Sequence, residues 1–421
     1  MLLQPFFRFE VFCLIERLRQ EFSFIHGNVL VIMTTWAVTD FATLLPDSYY
    51  SLYVEALGAS ALLLGAILSV ASFAMAFLQL VGGYWTDRYG RKPLIISMSF
   101  GKALIFLIFS TAPTWHFILL GEVLLGISSV SQPALMAIVY DSIPPEKRGL
   151  GYSLTMWVGI VSILSPIVAG FLYLICGLVN GMRIAYVVVS ACWFVSGLML
   201  LHLTETSKHE ANISLGEAVK QYPQALKKCV QVWKFVPRSM LNLLLIFTPA
   251  TFFIRMCIPY YALYANHFLN VGEFQWAMLH TWESIVFYCA AIPVGKLVDF
   301  FGRKKPLVLS SVFSAVGIGL FLSGDLFSLY IFFTFSALCN ALIFAAYPAL
   351  QADLTPKELR GKVIGFTNFV DGFLGSIAML LGGFLYGSVL PMMPFLLLLI
   401  SMTATAGATY VFITEPKTME S

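Results

Sequence analysis

The chain has 421 residues, of which 59% are hydrophobic and 11% charged, against about 25% charged in a soluble globular chain. With a mean hydropathy of +0.85, so much apolar surface cannot be hidden in water, which excludes a cytosolic enzyme, a disordered chain and a nucleic-acid binder and leaves an integral membrane protein. The net charge of +3 is small, so the placement of the charges carries the information.

Residues 1–26 mix Arg with Glu on an amphipathic pattern and lack the apolar run and small-residue cleavage site of a signal peptide, so they are expected to form an interfacial helix. Twelve apolar stretches follow, each near the roughly 20 residues that span a bilayer. They cover 27–53, 60–86, 93–112, 115–139, 149–173 and 183–203, then 240–265, 274–297, 306–323, 328–350, 363–387 and 393–413. The expected organisation is a six-helix half over 27–203, a polar cytoplasmic linker over 204–239, a second half over 240–414 and a tail over 415–421. Alternate loops hold the basic residues: Arg88, Arg91 and Lys92; Lys147 and Arg148; Arg303, Lys304 and Lys305; Lys357, Arg360 and Lys362. The opposite loops are nearly free of them, with Arg183 as the exception. By the positive-inside rule both termini are expected in the cytoplasm, as an even helix count requires. The seven cysteines make no Cys-x-x-Cys and no Cys/His cluster, so neither a disulfide framework nor a zinc site is expected.

The halves repeat each other. Gly83-Tyr-Trp-Thr-Asp87-Arg88-Tyr-Gly90-Arg91-Lys92 follows helix two, and Gly295-Lys-Leu-Val-Asp299-Phe-Phe-Gly302-Arg303-Lys304 follows helix eight. Asp141-Ser-Ile-Pro144-Pro-Glu-Lys-Arg148-Gly149 follows helix four, and Asp353-Leu-Thr-Pro356-Lys-Glu-Leu-Arg360-Gly361 follows helix ten. Parallel repeats of this kind mark one class of transporter. On these motifs the sequence resembles the major facilitator superfamily of secondary transporters. The resemblance implies an all-α membrane fold, two pseudo-symmetric six-helix bundles around a central cavity that opens alternately to each side. It also implies that Asp87 caps helix eleven across the halves. Arg91 can bridge Asp87 and Asp141, and Asp299, Arg303 and Asp353 can repeat that relay, together forming a gate rather than topogenic charge alone.

Ionisable residues deep in a span are costly, about 2.5–3.5 kcal/mol on insertion scales, and are functional candidates by default. Asp40 in helix one, Glu122 in helix four, Glu283 in helix eight and Asp371 in helix eleven face two deep bases, Lys102 and Arg255. The excess of acids suits proton coupling or a cationic solute. Asp40 and Asp371 have no base close by in sequence. Arg255 and Glu283 are alternatively a structural pair, Lys102 a snorkelling or acid-paired residue, and His280, three residues before Glu283, either a relay or a satisfied polar group. Asp47 is placed at the outer mouth. Ser165-Pro166-Ile-Val-Ala169-Gly170 resembles a relaxed form of the Gly-Pro-x-x-Gly-Gly motif of the family's antiporters. Tyr49, Tyr50 and Tyr53 after Pro46 match Tyr260, Tyr261 and Tyr264 after Pro259, as an outer gate or as interfacial belts.

The expectation is a monomeric, cofactor-free, non-enzymatic transporter of the plasma membrane. Its partners are a small organic solute and the bilayer, with the proton as coupling ion. Export of amphipathic or cationic compounds stands against an alternative: a symporter or facilitator for uptake of a sugar or organic acid, with Arg255 and Lys102 binding the anion.

Overall fold

In the computed structural model, residues 24–144, 147, 158–206, 237–356 and 359–415 are described, with the backbone alone for 79–89 and 361–362. Twelve helices among them are long and apolar enough to cross a bilayer. They are α1 (Asn28–Asp47), α2 (Ala61–Tyr89), α3 (Arg91–Thr111), α4 (Trp115–Ser142), α5 (Gly159–Cys176) and α6 (Leu178–Leu200) in the first half. In the second they are α7 (Arg238–Phe268), α8 (Glu273–Phe301), α9 (Lys304–Ser323), α10 (Leu326–Asp353), α11 (Arg360–Phe384) and α12 (Met393–Phe412). The expected interfacial helix at 1–26 and most of the linker lie outside the described residues.

The breaks in the helices fall at prolines. A proline lacks the N–H that would bond one turn back, so the turn before it tightens or ends. Pro133 follows the 3₁₀ turn Ser129–Ser131 in α4, Pro166 follows Gly159–Leu164 in α5, and Pro259 lies inside Ile258–Tyr260 in α7. After Pro46, α1 stops at Asp47, and the short helix Tyr50–Ala56 continues at a new angle. One expectation is corrected. The chain turns at Gly177, so α6 starts at Leu178 rather than 183, and Arg183 sits within the helix, its guanidinium donating to the Ala112 carbonyl at 3.1 Å.

Packing within each half follows one scheme. In the first half α3 packs on α6, α1 on α6, α2 on α4 and α1 on α5; in the second, α9 packs on α12, α7 on α12, α8 on α10 and α7 on α11. Side-chain ties repeat as well. Asn28 at the start of α1 donates to the Thr204 carbonyl after α6 (3.0 Å), and Asn242 near the start of α7 donates to Phe412 at the end of α12 (3.3 Å). The two most extensive contacts between the halves among the described residues are α2 on α11 and α5 on α8, and these are themselves equivalents under the same exchange. Large apolar side chains such as Leu174, Ile175, Leu245 and Phe300 point outward and are two-thirds or more exposed. Lipid covers such a surface without the penalty water would impose.

Small residues set how closely the halves approach. A methyl group placed on Gly65 of α2 would lie 2.5 Å from the Met379 carbonyl oxygen and the Tyr260 hydroxyl, and one on Gly170 of α5 would lie 2.6 Å from the Ala277 Cβ of α8. The motif in helix five thus lies on an inter-half seam: Ser165 Oγ donates to the Phe41 carbonyl, pinning α5 to α1, while Pro166 starts the α-helical stretch that carries Gly170 to α8.

Candidate functional site

At the end bearing the basic motifs, Gly90 (φ 85°, ψ 145°) and Gly302 (φ 82°, ψ −175°) turn the chain between α2 and α3 and between α8 and α9 in a region essentially reserved for glycine, which costs other residues about 1–3 kcal/mol. The turn sets the next arginine against the acid ending the neighbouring helix. Arg91 pairs with Asp141, and Arg303 Nε lies 3.3 Å from Asp353 Oδ2. Arg360 Nε donates to the Ala352 and Thr355 carbonyls, each at 3.1 Å, stitching α11 to the end of α10. Asp299 and Gly295 lie on the last turns of α8, Asp299 exposed. Gly83, Asp87 and Arg88 fall on the stretch of α2 described by backbone alone, and Arg148 outside the described residues, so the expected bridge from Asp87 to α11 lies outside them too.

Each arginine–aspartate pair has a third member not anticipated from the motifs. Glu205 accepts from the Lys92 backbone N–H at 2.9 Å, and Glu415 accepts from the Lys304 N–H. Both carboxylates cap the first turn of the helix following the motif, where they complement its dipole. The signal was present as Leu203-Thr204-Glu205 and Ile413-Thr414-Glu415. Glu415, the last described residue, is thereby held against the start of α9.

At the opposite end the halves are closed on each other. Tyr49 Oη donates to the Glu273 carbonyl (2.7 Å) and Trp276 Nε1 donates to the Ser48 carbonyl (2.9 Å), each bond crossing between halves. Tyr260 Oη donates to Met379 at 3.0 Å and reaches Ala61 of the first half at 3.4 Å. Tyr49, Tyr53 and Tyr260 are all 0% exposed, as a gate requires and an interfacial belt does not; Tyr49 and Tyr260 bond across the halves, whereas Tyr53 donates to the Phe109 carbonyl of its own half at 2.9 Å. Glu55 and His267 form an ion pair of 3.1 Å over this seal. Both are about 40% exposed; partial burial raises the Glu55 carboxyl above its ordinary value and His267 opposes the rise. Exposed pairs contribute about 0.2–1 kcal/mol, so Glu55→Gln is expected to raise cysteine labelling below this seal by roughly 1.5- to 5-fold, with unchanged labelling as the contrary result.

Between the two ends, cavities open among the described residues, two of which adjoin each other. The first, about 340 Å³, is bounded by Asp47, Ser48 and Ser51 of the first half and by residues of α7, α8, α9, α10 and α12, among them Tyr261, Trp276, His280, Glu283, Ser336 and Asn340. The second, about 420 Å³, is lined by Leu44, Ser162, Phe287, Tyr288 and Phe344. Glu283, Asn340 and Ile343 border both. Glu283 accepts from Ser336 Oγ at 2.6 Å and faces His280 Nδ1 at 3.4 Å. The rings of Trp276 and Phe333 hold the imidazole at centroid distances of 4.9 and 5.0 Å.

The other deep residues separate into local sets. Asp40 sits on an exposed part of α1, one turn before Leu44, with Tyr288 of the other half as its electrostatic neighbour. Glu122 lies beside Tyr50 and near Asp47. Arg255 is the charged neighbour of Asp371, its stem along α11 at Gly375, and Thr248 lies near the carboxylate. That corrects two expectations: Asp371 has a base beside it, and Glu283 is partnered by His280 and Ser336. Among the described residues Lys102 is paired with no acid. Its ammonium lies 4.3 Å from the centroid of the Trp193 ring, between α3 and α6, a cation–π contact. Neither Lys102 nor Arg255 lines either cavity.

Twelve spans in two equivalent halves, paired motifs at one end and an internal cavity between the halves define a membrane transporter. The family model of the Major Facilitator Superfamily matches residues 28–277 and 243–421, and the chain belongs to that family. It is 23% identical over 340 residues to the multi-drug resistance efflux pump PmrA of Streptococcus pneumoniae, covering 78% of this chain and 81% of that protein. It is 23% identical over 337 residues to the class H tetracycline resistance protein of Pasteurella multocida, covering 76% of this chain and 79% of the relative. Among solved structures, a peptide transporter POT in complex with sulfate matches 92% of this chain and 94% of its own at a TM-score of 0.71 and 12% identity. The nucleoside transporter NupG matches 92% and 98% at 0.65 and 13%. At those identities the likeness is one of fold.

Proposed function

We propose that the protein is a proton-coupled exporter of amphipathic or cationic organic compounds, working by alternating access in the plasma membrane with both termini and the motif-bearing end in the cytoplasm. One observation carries this: the cavity between the halves places Asp47 and Glu283 among aromatic walls, while the deep bases Arg255 and Lys102 lie elsewhere. A carboxylate in an apolar pocket pairs with a cation or holds a proton, and exchange of one for the other couples the two fluxes. Similarity to relatives named as efflux and tetracycline resistance proteins supports export. The position of the arginine away from the cavities weighs against the alternative of organic-acid uptake. The basic loops support the sidedness.

A thermal-shift screen of the purified protein across solute classes tests this. Lipophilic cations at about 100 times their Kd should stabilise the protein by about 2.7 kcal/mol; anionic sugars and organic acids should not, and Glu283→Gln should remove the response. Stabilisation by organic acids that persists in Glu283→Gln would turn the assignment to uptake.

A further inference from the structure

We infer that Asp47, His280 and Glu283 form a proton-transfer line that crosses from one half to the other and is complete only while the seal at Tyr49 and Trp276 is closed. The inference rests on the proton-coupled reading above and adds where the proton travels.

Three observations build it. His280 and Glu283 share one face of α8, with Nδ1 of the imidazole 3.4 Å from the carboxylate. Ser336 occupies the other carboxylate oxygen, and Trp276 and Phe333 clamp the ring, so the imidazole is held with one nitrogen toward the acid. Asp47 and His280 line the same cavity from opposite halves. At about 340 Å³ it has room for bridging water, which takes about 30 Å³ per molecule in the liquid.

The chemistry balances without a further reactant. Protonated Asp47 gives its proton through water to Nε2, and the imidazolium releases the proton on Nδ1 to the Glu283 carboxylate. Asp47 is left ionised, His280 neutral in the other tautomer and Glu283 protonated; once the halves part, water takes the proton on Nε2 and returns one to Nδ1, which resets the tautomer. The dependence on the seal is geometric. Asp47 is held at the end of α1, directly ahead of Ser48 and Tyr49, whose bonds to Trp276 and Glu273 of α8 hold α1 against it. Parting the halves carries Asp47 away from His280 and leaves His280 and Glu283 together on α8. Proton transfer between the halves is thereby tied to one conformation. The other titratable groups facing this line are Tyr261 of α7, Cys339 of α10, and Glu122, Tyr50 and Tyr186 near Asp47. No Lys or Arg is among the residues lining the cavity.

The test uses the full chain in proteoliposomes, in a cysteine-free background spin-labelled at Thr114 and Phe327, exposed residues at the sealed end of the two halves. The distance distribution across the seal is recorded from pH 5 to 9. The wild type should show a pH-dependent closed fraction. His280→Gln and Asp47→Asn should each move its midpoint by about one unit or more, and the double variant should move it no further than the larger single change, because both act on one line. His202→Gln, at the opposite end, should leave it in place. A midpoint unmoved in both single variants, single effects that simply add, or a wild-type seal indifferent to pH would each overturn the inference. A seal that titrates as described in a protein that accumulates no solute under a pH gradient would uphold the line and sink only the exporter assignment.

Discussion

Gly65→Val is expected to abolish transport while both six-helix halves still fold. The added Cβ would sit 2.5 Å from the Met379 carbonyl oxygen and the Tyr260 hydroxyl, and the carbonyl belongs to a helix backbone that cannot swing aside. Either α2 withdraws from α11 or the Tyr260 bond to Met379 breaks, and both outcomes loosen the seal between the halves. Overpacking of this kind costs about 1–3 kcal/mol. Set against the closed arrangement alone, that shifts the balance of open and closed forms roughly 5- to 150-fold toward the open one. Labelling of a cysteine at Ser51, which lines the first cavity, should rise accordingly. Gly407→Ala is the control, since nothing lies within 4 Å of a Cβ there. Normal turnover in Gly65→Val would show that the two helices need not approach this closely during the cycle.

The second large effect is expected at the basic end. Asp141→Ala removes the carboxylate partner of Arg91, which also donates to Thr206 and whose side chain is only 14% exposed, and Asp353→Ala removes that of Arg303, 16% exposed. Losing a hydrogen-bonded charge partner at a partly buried site costs about 1–3 kcal/mol. If closing this end limits turnover, each variant should be slower by about tenfold, which is 1.4 kcal/mol in the barrier. Because the two pairs lie in different halves, their effects should add, giving about a hundredfold loss in the double variant. Initial-rate flux of the four proteins at equal reconstitution measures this. A double variant no slower than either single one would mean that the two pairs act as one unit.

Much of this arrangement was legible in the sequence, and what was hidden was hidden for physical reasons. Twelve apolar runs and alternating basic loops fixed the spans because a bilayer demands both. The offsets from Asp141 to Arg148 and from Asp353 to Arg360, repeated with Arg91 and Arg303, identified the paired charges because their spacing depends only on helix ends. The caps from Glu205 and Glu415 were missed because a three-residue match at the ends of α6 and α12 carries little signal alone. The seal was half-legible: the two tyrosine groups stood out, but the partners of Tyr49 and Trp276 are backbone carbonyls, which any residue supplies. Lys102 was misassigned because its partner, Trp193, lies three helices away and is not an acid. Asp371 gained a neighbour in Arg255 only through the packing of α7 on α11.

The central claim is tested most directly by flux of a fluorescent lipophilic cation into proteoliposomes of defined orientation, with the motif-bearing end outward and the lumen made acidic. A proton-coupled exporter should accumulate the cation above its external concentration, lose that accumulation when a protonophore collapses the gradient, and lose it in Glu283→Gln. Accumulation that is indifferent to the gradient, or that requires an alkaline lumen, would contradict the account.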